Sequence, residues 1–316
     1  MNKTYYSGID ITKFICAIMV VAIHTQPFIN FSWLDRGLGI VTRLAVPFFF
    51  VCSGFFLFDD IVDSPKIKKY LLRILLLYVI WSIVYLPFNW PIDDLIRTFL
   101  IEGVSGHLWY LPALLFSIVL ILILDRIISV KAILLLSSIV YLLGVFLSTY
   151  KSISSLFIGE RVFEIIEFIG TRNGLFYGFF YVSLGMWISK NTKRCYSRVH
   201  HLVMLMIGLV LLGIEGIVAV IILHASSTIL WITCPLPVYA LFMMTKDVHV
   251  EMNTLVIRKM SSFIYFSHYL WIDLLSMIGV IDKGIKSFLY VVVISSIVAY
   301  LFIKLSAKSK VLRYTY

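Results

Sequence analysis

Residues 9–30 read IDITKFICAIMVVAIHTQPFIN, an apolar run interrupted by only a few widely spaced polar residues. A transmembrane helix needs roughly 20 mostly apolar residues, so this run is long enough to cross a bilayer. Similar runs recur along the chain, near 38–58, 70–90, 108–126, 131–149, 174–189, 202–223, 227–245, 261–280 and 285–305. The sequence therefore predicts an all-α, polytopic transmembrane helical bundle of about ten spans.

The composition favours the same fold class. The 316 residues are 61% hydrophobic and only 14% charged, and the mean hydropathy is +0.98. Because a soluble domain has about 25% charged residues, this chain has too few to cover a water-exposed surface. We find no repeat of fixed period and no flexible linker, so residues 1–316 are predicted to form a single transmembrane domain. The first run lacks a clear cleavage site and precedes many others, which favours a first helix over a signal peptide.

The basic residues indicate an orientation. The formal net charge is +10, and Lys and Arg cluster in short gaps between apolar runs, such as 66–73 and 190–198. With the N-terminus in the cytoplasm, 19 of the 27 Lys and Arg residues lie on the inner side and eight on the outer. This bias predicts that both termini are cytoplasmic. It also assigns the positive charge to a membrane protein in its lipid bilayer, and we expect no nucleic-acid partner.

Two ionisable residues interrupt the first predicted helix. Lys13 and His24 are 11 residues apart, which is about three helical turns, so they share one face about 16 Å apart along the axis. Asp10 lies one turn before Lys13 and is expected to pair with it. The arrangement has two interpretations. One is a polar track through the bundle; the other is a snorkelling lysine and a packed histidine.

The second predicted helix carries Arg43 one turn before Pro47, followed by Ser53 and Gly54. Proline frees a backbone carbonyl and distorts the helix, whereas glycine allows a neighbouring helix to approach closely. Arg43 is then either an interfacial anchor of a kinked helix or part of a site. Both interpretations stay open at this level.

Two further segments are predicted at the outer interface. The first contains His107 and Trp109. The second, Thr171-Arg172-Asn173-Gly174, opens a predicted span, and it is either an anion-binding helix N-terminus or an ordinary cap with a solvated Arg172. The topology places Arg43, His107, Trp109 and Arg172 on the outer side, and we expect them to converge with His24 on one cavity.

Other polar residues are less informative. Glu215 is expected either to pair with a buried cation or to be protonated, and His268 either belongs to the site or bridges helices. The four cysteines show neither a C-x-x-C pair nor a histidine partner at ligand spacing, so neither a disulfide framework nor a metal site is predicted.

Taken together, these features resemble the acyltransferase-3 family. The resemblance covers nearly the whole chain and rests on the order of four motifs: Lys13 with His24, Arg43-x-x-x-Pro47-x-Phe-x-x-x-Ser53-Gly54-Phe, His107-Leu-Trp109-Tyr110-Leu, and Thr171-Arg172-Asn173-Gly174. The family more often has arginine where this chain has Lys13. Lysine is a point charge and lacks the bidentate fork of arginine.

The resemblance implies a membrane O-acyltransferase in a bacterial plasma membrane. Such an enzyme moves an acyl group, commonly acetyl, from cytosolic acyl-CoA to a hydroxyl of an extracytoplasmic glycan or lipid-linked sugar. With this activity, His24 is the expected general base, and Arg43 or backbone amides near Pro47 are expected to stabilise the oxyanion. Lys13, with the basic inner loops, is expected to hold the CoA phosphates. The acceptor is expected to bind near His107, Trp109 and Arg172, with Trp109 stacking on a sugar ring.

The same membrane module resembles that of vancomycin-resistance serine racemases, where a soluble pyridoxal-phosphate domain follows it. We expect no racemase domain within residues 1–316. The alternative function is accordingly a membrane carrier for a small amino acid such as L-serine, in which Arg43 and Arg172 bind a carboxylate. Release of CoA and covalent transfer distinguish the two, because a carrier produces neither.

Overall fold

The computed structural model describes residues 6–60, 64–191, 197–225, 230–280, 282–306 and 316. In these ranges the chain is helical and contains no β-strand. The helices of ten residues or more are α1 (Ser7–Thr25), α2 (Ser32–Thr42), α3 (Ala45–Asp60), α4 (Ser64–Tyr85), α5 (Tyr110–Leu124), α6 (Val130–Ser148), α7 (Glu160–Ile169), α8 (Phe179–Asn191), α9 (Arg198–Ile217), α10 (Pro235–Lys246), α11 (Leu255–Met277) and α12 (Ile285–Ser306). The predicted all-α fold class is confirmed.

Six helical segments in the described ranges are long and apolar enough to cross a membrane. They are Ser7–Thr25, Trp33–Phe58, Pro65–Phe88, Val130–Ser148, Arg198–Ile222 and Ile285–Ser306, and α5 is apolar but shorter. The protein is therefore a multi-pass membrane protein. The other predicted spans coincide with α8, α10 and α11. The total of about ten spans, and the cytoplasmic location of both termini, stay predictions.

The second predicted span is interrupted one turn before Pro47, the residue from which the sequence predicted a distorted helix. α2 ends at Thr42 and α3 begins at Ala45, so Arg43 lies in the turn between them. Pro47 has no backbone N–H, which leaves the carbonyl of Arg43 without its helical donor. The thiol of Cys234 approaches this carbonyl, with Sγ 3.9 Å from the oxygen. The break therefore holds Arg43 at a fixed place inside the bundle.

Two glycines allow α3 and α8 to pack at very short range. A Cβ atom at Gly54 would overlap the carbonyl oxygen of Val182, and one at Gly185 would overlap the carbonyl oxygen of Val51. Small residues at a helix crossing allow backbones to approach closely, and dispersion contacts then replace side-chain packing. The close approach predicted at Gly54 is present, and it sets the position of α3 within the core.

Glu215 organises the chain before α10. Its carboxylate accepts hydrogen bonds from the backbone N–H groups of Ile232 (2.7 Å) and Thr233 (2.8 Å), the Thr233 hydroxyl and the Tyr150 hydroxyl (3.0 Å). Burial, with Glu215 nearby, raises the pKa of Tyr150, which therefore stays a donor. Among the described residues, the partners of Glu215 are these donors, and it forms no ion pair with a cation.

This arrangement changes one predicted boundary. The sequence predicted a span from 227 and a tight hairpin before it, but α10 begins only at Pro235. The N–H groups of Ile232 and Thr233 instead donate to the Glu215 carboxylate, and this segment is not helical. A carboxylate with several backbone donors stabilises an irregular segment that an apolar sequence alone would not indicate. Residues 226–229, which belong to the predicted hairpin, lie outside the described ranges.

Substitution of Gly54 tests the α3–α8 packing. We expect Gly54→Ala to lower the free energy of unfolding by about 1–3 kcal/mol, because the new methyl group overlaps the Val182 backbone. Gly213→Ala is the matched control, since a Cβ atom there meets nothing within 4 Å. Thermal unfolding in detergent, followed by size-exclusion chromatography, measures both. Equal stability of the two variants would contradict the close packing.

Single cysteines test the predicted orientation. Cys16, Cys52 and Cys234 are buried, so a Cys195→Ser background leaves little reactive thiol. Cysteines replacing exposed Lys151 and Lys283 are expected to react with a membrane-impermeant maleimide in intact cells. One replacing exposed Lys68 should react only after permeabilisation. Labelling of position 68 in intact cells would contradict the predicted cytoplasmic location of both termini.

Candidate functional site

The candidate site lies where the C-terminal end of α1 packs against α11. The His24 ring is 4.6 Å from that of Tyr269 and 5.4 Å from that of His268, centroid to centroid. His107, in the loop before α5, has its ring 4.8 Å from His268 and 5.0 Å from Tyr269, almost parallel to the latter. We refer to His24, His107 and His268 as the three-histidine cluster. The Tyr269 ring contacts each of the three imidazoles.

His107 is held by hydrogen bonds at both ring nitrogens. Its Nε2 is 3.1 Å from the Phe266 carbonyl and its Nδ1 is 3.4 Å from the Ser105 hydroxyl. Because a carbonyl only accepts, Nε2 carries the proton and Nδ1 accepts from Ser105. The Tyr265 hydroxyl donates to the backbone carbonyl of His107 at 3.0 Å. His107 therefore fastens its loop to α11.

Trp109 and His107 are interior residues. Their exposed fractions are 6% and 1%, whereas the sequence predicted anchors at the outer interface. The segment is buried because its polar atoms find partners on α11, which pattern analysis of an isolated loop does not reveal. Trp109 packs against Phe50 and Tyr177, with ring distances of 6.1 and 5.4 Å.

His268 has one satisfied and one unsatisfied nitrogen. Its Nδ1 is 2.7 Å from the Tyr265 carbonyl and 3.2 Å from the Ile264 carbonyl, so Nδ1 carries the proton. Nε2 is a bare acceptor, is buried, and has no hydrogen-bond partner among the described residues. The sequence left the role of His268 open between a site residue and a bridge between helices. The feature that pointed to it was a second histidine within an apolar span.

Arg172 packs on Trp109. Its guanidinium lies over the Trp109 ring at 5.4 Å. The following helix start is capped by Asn173, whose Oδ1 accepts from the N–H groups of Leu175 and Phe176 at 2.9 and 3.0 Å. The helix start is capped, and Arg172 is half-buried on Trp109 and not solvated. Anion binding at this helix start stays a prediction.

Two cavities flank these arginines. Arg172 lines one of about 400 Å³, together with Glu102, Lys151, Phe163 and Glu167. Arg43 lines another of about 340 Å³, whose polar members include Gln26, Asp35 and Arg36. Arg43 and Arg172 thus line separate cavities, and His24, His107 and Trp109 are not among the residues that line either of these two.

Lys13 lies at the other end of the same face of α1. It lines a cavity of about 560 Å³ that also contains Arg73, Arg258 and Lys259, and we call this the basic cavity. The predicted Asp10–Lys13 pair is wrong. Asp10 instead accepts from the Thr254 hydroxyl at 2.7 Å and lies 4.0 Å from Arg258, while the Lys13 ammonium lies over the Phe56 ring at 5.1 Å.

Aromatic side chains separate the basic cavity from the histidines. Phe49, Tyr110 and Tyr265 all line the cavity, and their ring centroids are 5.5 to 6.3 Å apart. The Tyr265 ring also lies 6.0 Å from His107 and 6.2 Å from His268. Tyr265 is therefore a wall shared by the basic cavity and the three-histidine cluster.

The cluster does not have the form of a metal centre. In the ranges that the structure describes, no group of three His, Cys, Asp or Glu side chains is arranged to hold a metal ion. Two of the three histidines use a ring nitrogen to donate to backbone carbonyls. The arrangement suits proton transfer and hydrogen bonding to a ligand.

These features define a multi-pass helical membrane protein with buried imidazoles between a basic cavity and an arginine-lined one. A family model described as an acyltransferase domain matches residues 6–308. The chain therefore belongs to the acyltransferase-3 family, which confirms the resemblance noted in the sequence.

The similar curated proteins carry racemase names. Two amino-acid racemases of Enterococcus faecalis are 34% identical over 226 residues, covering 64% of this chain and 31% of theirs, and 26% identical over 331 residues, covering 96% and 47%. A serine/alanine racemase of Enterococcus gallinarum is 29% identical over 209 residues, covering 59% and 30%. The chain thus matches less than half the length of each of these relatives. No solved structure matches it.

Proposed function

We propose that this acyltransferase-family protein transfers an acyl group, commonly acetyl, from acyl-CoA to a hydroxyl of an extracytoplasmic glycan or lipid-linked sugar, in a bacterial plasma membrane. The observation that carries the proposal is the placement of a four-cation cavity and the three-histidine cluster along one face of α1, with Tyr265 between them. A polyanionic thioester donor and a proton acceptor are the two things that acyl transfer requires. Family membership supports the acyl-transfer chemistry itself.

The basic cavity is the proposed donor site. CoA carries several phosphate charges, and Lys13, Arg73, Arg258 and Lys259 supply cations on the predicted cytoplasmic side. Charge-assisted hydrogen bonds to phosphate are roughly twice as strong as neutral ones. The acyl-pantetheine arm is long and thin, and it would pass the layer of Phe49, Tyr110 and Tyr265 to reach His24.

His24 is the proposed general base. Both nitrogens of His107 are used by the protein, and Nδ1 of His268 is committed to carbonyls. The described contacts of the His24 imidazole are ring contacts, which leave its nitrogens for substrate. In the reaction the acceptor oxygen bonds to the thioester carbon, His24 takes the hydroxyl proton, the C–S bond breaks, and the thiolate of CoA receives the proton.

The two arginines are proposed to bind the oxyanion of the reaction and the acceptor. Arg43 is proposed to stabilise the tetrahedral oxyanion and Arg172 to hold the acceptor, since its cavity already contains polar and charged groups suited to a glycan. Trp109 stacks on a sugar ring only if Arg172 moves off its face. His107 contributes to acceptor binding by fixing the loop that carries Trp109.

A second candidate function rests on the relatives. Proteins named amino-acid racemase and serine/alanine racemase share this membrane module, which favours a carrier for a small amino acid such as L-serine. Arg43 or Arg172 would then bind the carboxylate. Purified protein in nanodiscs that releases CoA and esterifies a hydroxyl excludes a pure carrier, while L-serine uptake into proteoliposomes without either product excludes the acyltransferase.

Replacement of His24 tests the general base. We expect His24→Ala to lower kcat for acyl transfer about 10²- to 10⁴-fold, because the hydroxyl loses its proton acceptor, with little change in acyl-CoA affinity. The matched control is His249→Ala, an exposed imidazole away from the cluster. Transfer of labelled acetyl from acetyl-CoA is the measurement. Near-native turnover in His24→Ala would rule out this role.

Replacement of Lys13 tests the donor site. Lys13→Ala should weaken acetyl-CoA binding about tenfold to a hundredfold, because one charge-assisted contact to phosphate is lost, and Lys13→Arg should weaken it less. Exposed Lys68 is the control, since it does not line the basic cavity. Isothermal titration with acetyl-CoA gives the affinities. If Lys13→Ala and Lys68→Ala bind equally well, the donor does not occupy this cavity.

A further inference from the structure

The three-histidine cluster contains an acceptor that the protein leaves unused. His268 is 0% exposed, and its Nδ1 donates to two carbonyls of its own helix. Nε2 must therefore be the unprotonated nitrogen, and no described residue donates to it. A buried acceptor without a donor costs free energy, and native proteins seldom keep one without a function.

The neighbours of Nε2 indicate what kind of donor it awaits. The His24 and His268 rings are 5.4 Å apart with an angle of 27° between their planes. Two nearly parallel rings at this distance do not form an in-plane hydrogen bond with each other. Each ring can instead take its own O–H group, with O–H donor–acceptor distances of about 2.7–2.8 Å. His107 is not such a partner, because both of its nitrogens are occupied.

We propose that Nε2 of His268 binds a second hydroxyl of the acyl acceptor, adjacent to the hydroxyl that His24 deprotonates. The site then selects acceptors with hydroxyls on neighbouring carbons, as on a sugar ring. This inference rests on the proposed acyltransferase function and specifies its acceptor. The second hydroxyl keeps its proton and remains unacylated, and the reacting hydroxyl gives its proton to His24.

Tyr269 contacts both histidines at which the two hydroxyls would bind. Its half-buried ring lies 4.6 Å from His24, 5.0 Å from His107 and 5.4 Å from His268. Its hydroxyl lies close to Gly106, since a Cβ atom there would be 3.3 Å from it. An acceptor bound to His24 and His268 would therefore lie beside the Tyr269 ring.

The specificity is tested first on the unaltered protein. In nanodiscs with labelled acetyl-CoA, the probes are methyl glucoside and its monodeoxy analogues. We expect removal of the hydroxyl next to the acylated position to lower kcat/KM about tenfold to a hundredfold, because Nε2 stays unpaired. Equal use of parent and deoxy compounds would show that water or nothing occupies Nε2, and would overturn the inference. No transfer to any hexoside would refute the proposed glycan acceptor, and this inference with it.

A variant of His268 assigns the discrimination to its Nε2. The amide nitrogen of asparagine can replace Nδ1 as donor to the Tyr265 carbonyl, but His268→Asn has no group at the Nε2 position. We expect kcat/KM for methyl glucoside to fall to the level of the deoxy compound, and the discrimination between them to disappear. His249→Ala, with an exposed imidazole, should keep it.

A purely structural role gives a different result. His268→Asn would then lower kcat/KM for both compounds by the same factor and leave their ratio unchanged, which would overturn the assignment. If His268→Asn does not fold, His268→Ser gives the same ratio test, because serine also has no group at the Nε2 position. Loss of the discrimination in the folded variant is the expected result, and an unchanged ratio would overturn the assignment.

Discussion

The packing of α1 against α11 is the contact on which the site depends. It places His24 beside His268 and Tyr269, and at the other end of α1 it places Asp10 near Thr254 and Arg258. Polar groups inside a bilayer-spanning bundle are costly unless protein groups satisfy them. Because two polar contacts lie at opposite ends of one helix pair, α1 is fixed both in rotation and in register. The face that carries Lys13 and His24 is thereby turned inward.

Irregular backbone then completes the site around this pair. The break between α2 and α3 holds Arg43, the loop before α5 holds His107 and Trp109, and the capped start before α8 holds Arg172. Regular membrane helices bond all of their own backbone groups, so only such interruptions leave groups to satisfy. Here side chains bond to backbone groups at the interruptions: Cys234 to the Arg43 carbonyl, Tyr265 to the His107 carbonyl, and Asn173 to the N–H groups of Leu175 and Phe176. The proposed site residues Arg43, His107, Trp109 and Arg172 therefore lie at such interruptions, whereas Lys13, His24 and His268 lie on regular helices.

The separation of the two halves of the site has a mechanistic consequence. An acyl donor with several phosphates and a polar acceptor are poorly compatible with one open channel, which would also let ions cross the membrane. In the proposed mechanism, the aromatic layer of Phe49, Tyr110 and Tyr265 would let a thin acyl arm approach His24 while the phosphates stay in the basic cavity. Donor and acceptor would thus meet only at the three-histidine cluster.

The sequence by itself determined the helical membrane fold, the shared face of Lys13 and His24, the distortion at Pro47 and the close approach at Gly54. Each depends on local periodicity or on the backbone chemistry of one residue. Only the tertiary structure decided that His107 and Trp109 are buried, that Glu215 bonds to the backbone of Ile232 and Thr233, and that Asp10 contacts Thr254 and Arg258. It also decided that no described residue donates to Nε2 of His268. The hydrogen-bond partners of Glu215 and Asp10 lie 17 to 244 positions away in the chain. Helical spacing carries no information about which distant donor or acceptor a buried polar atom will meet.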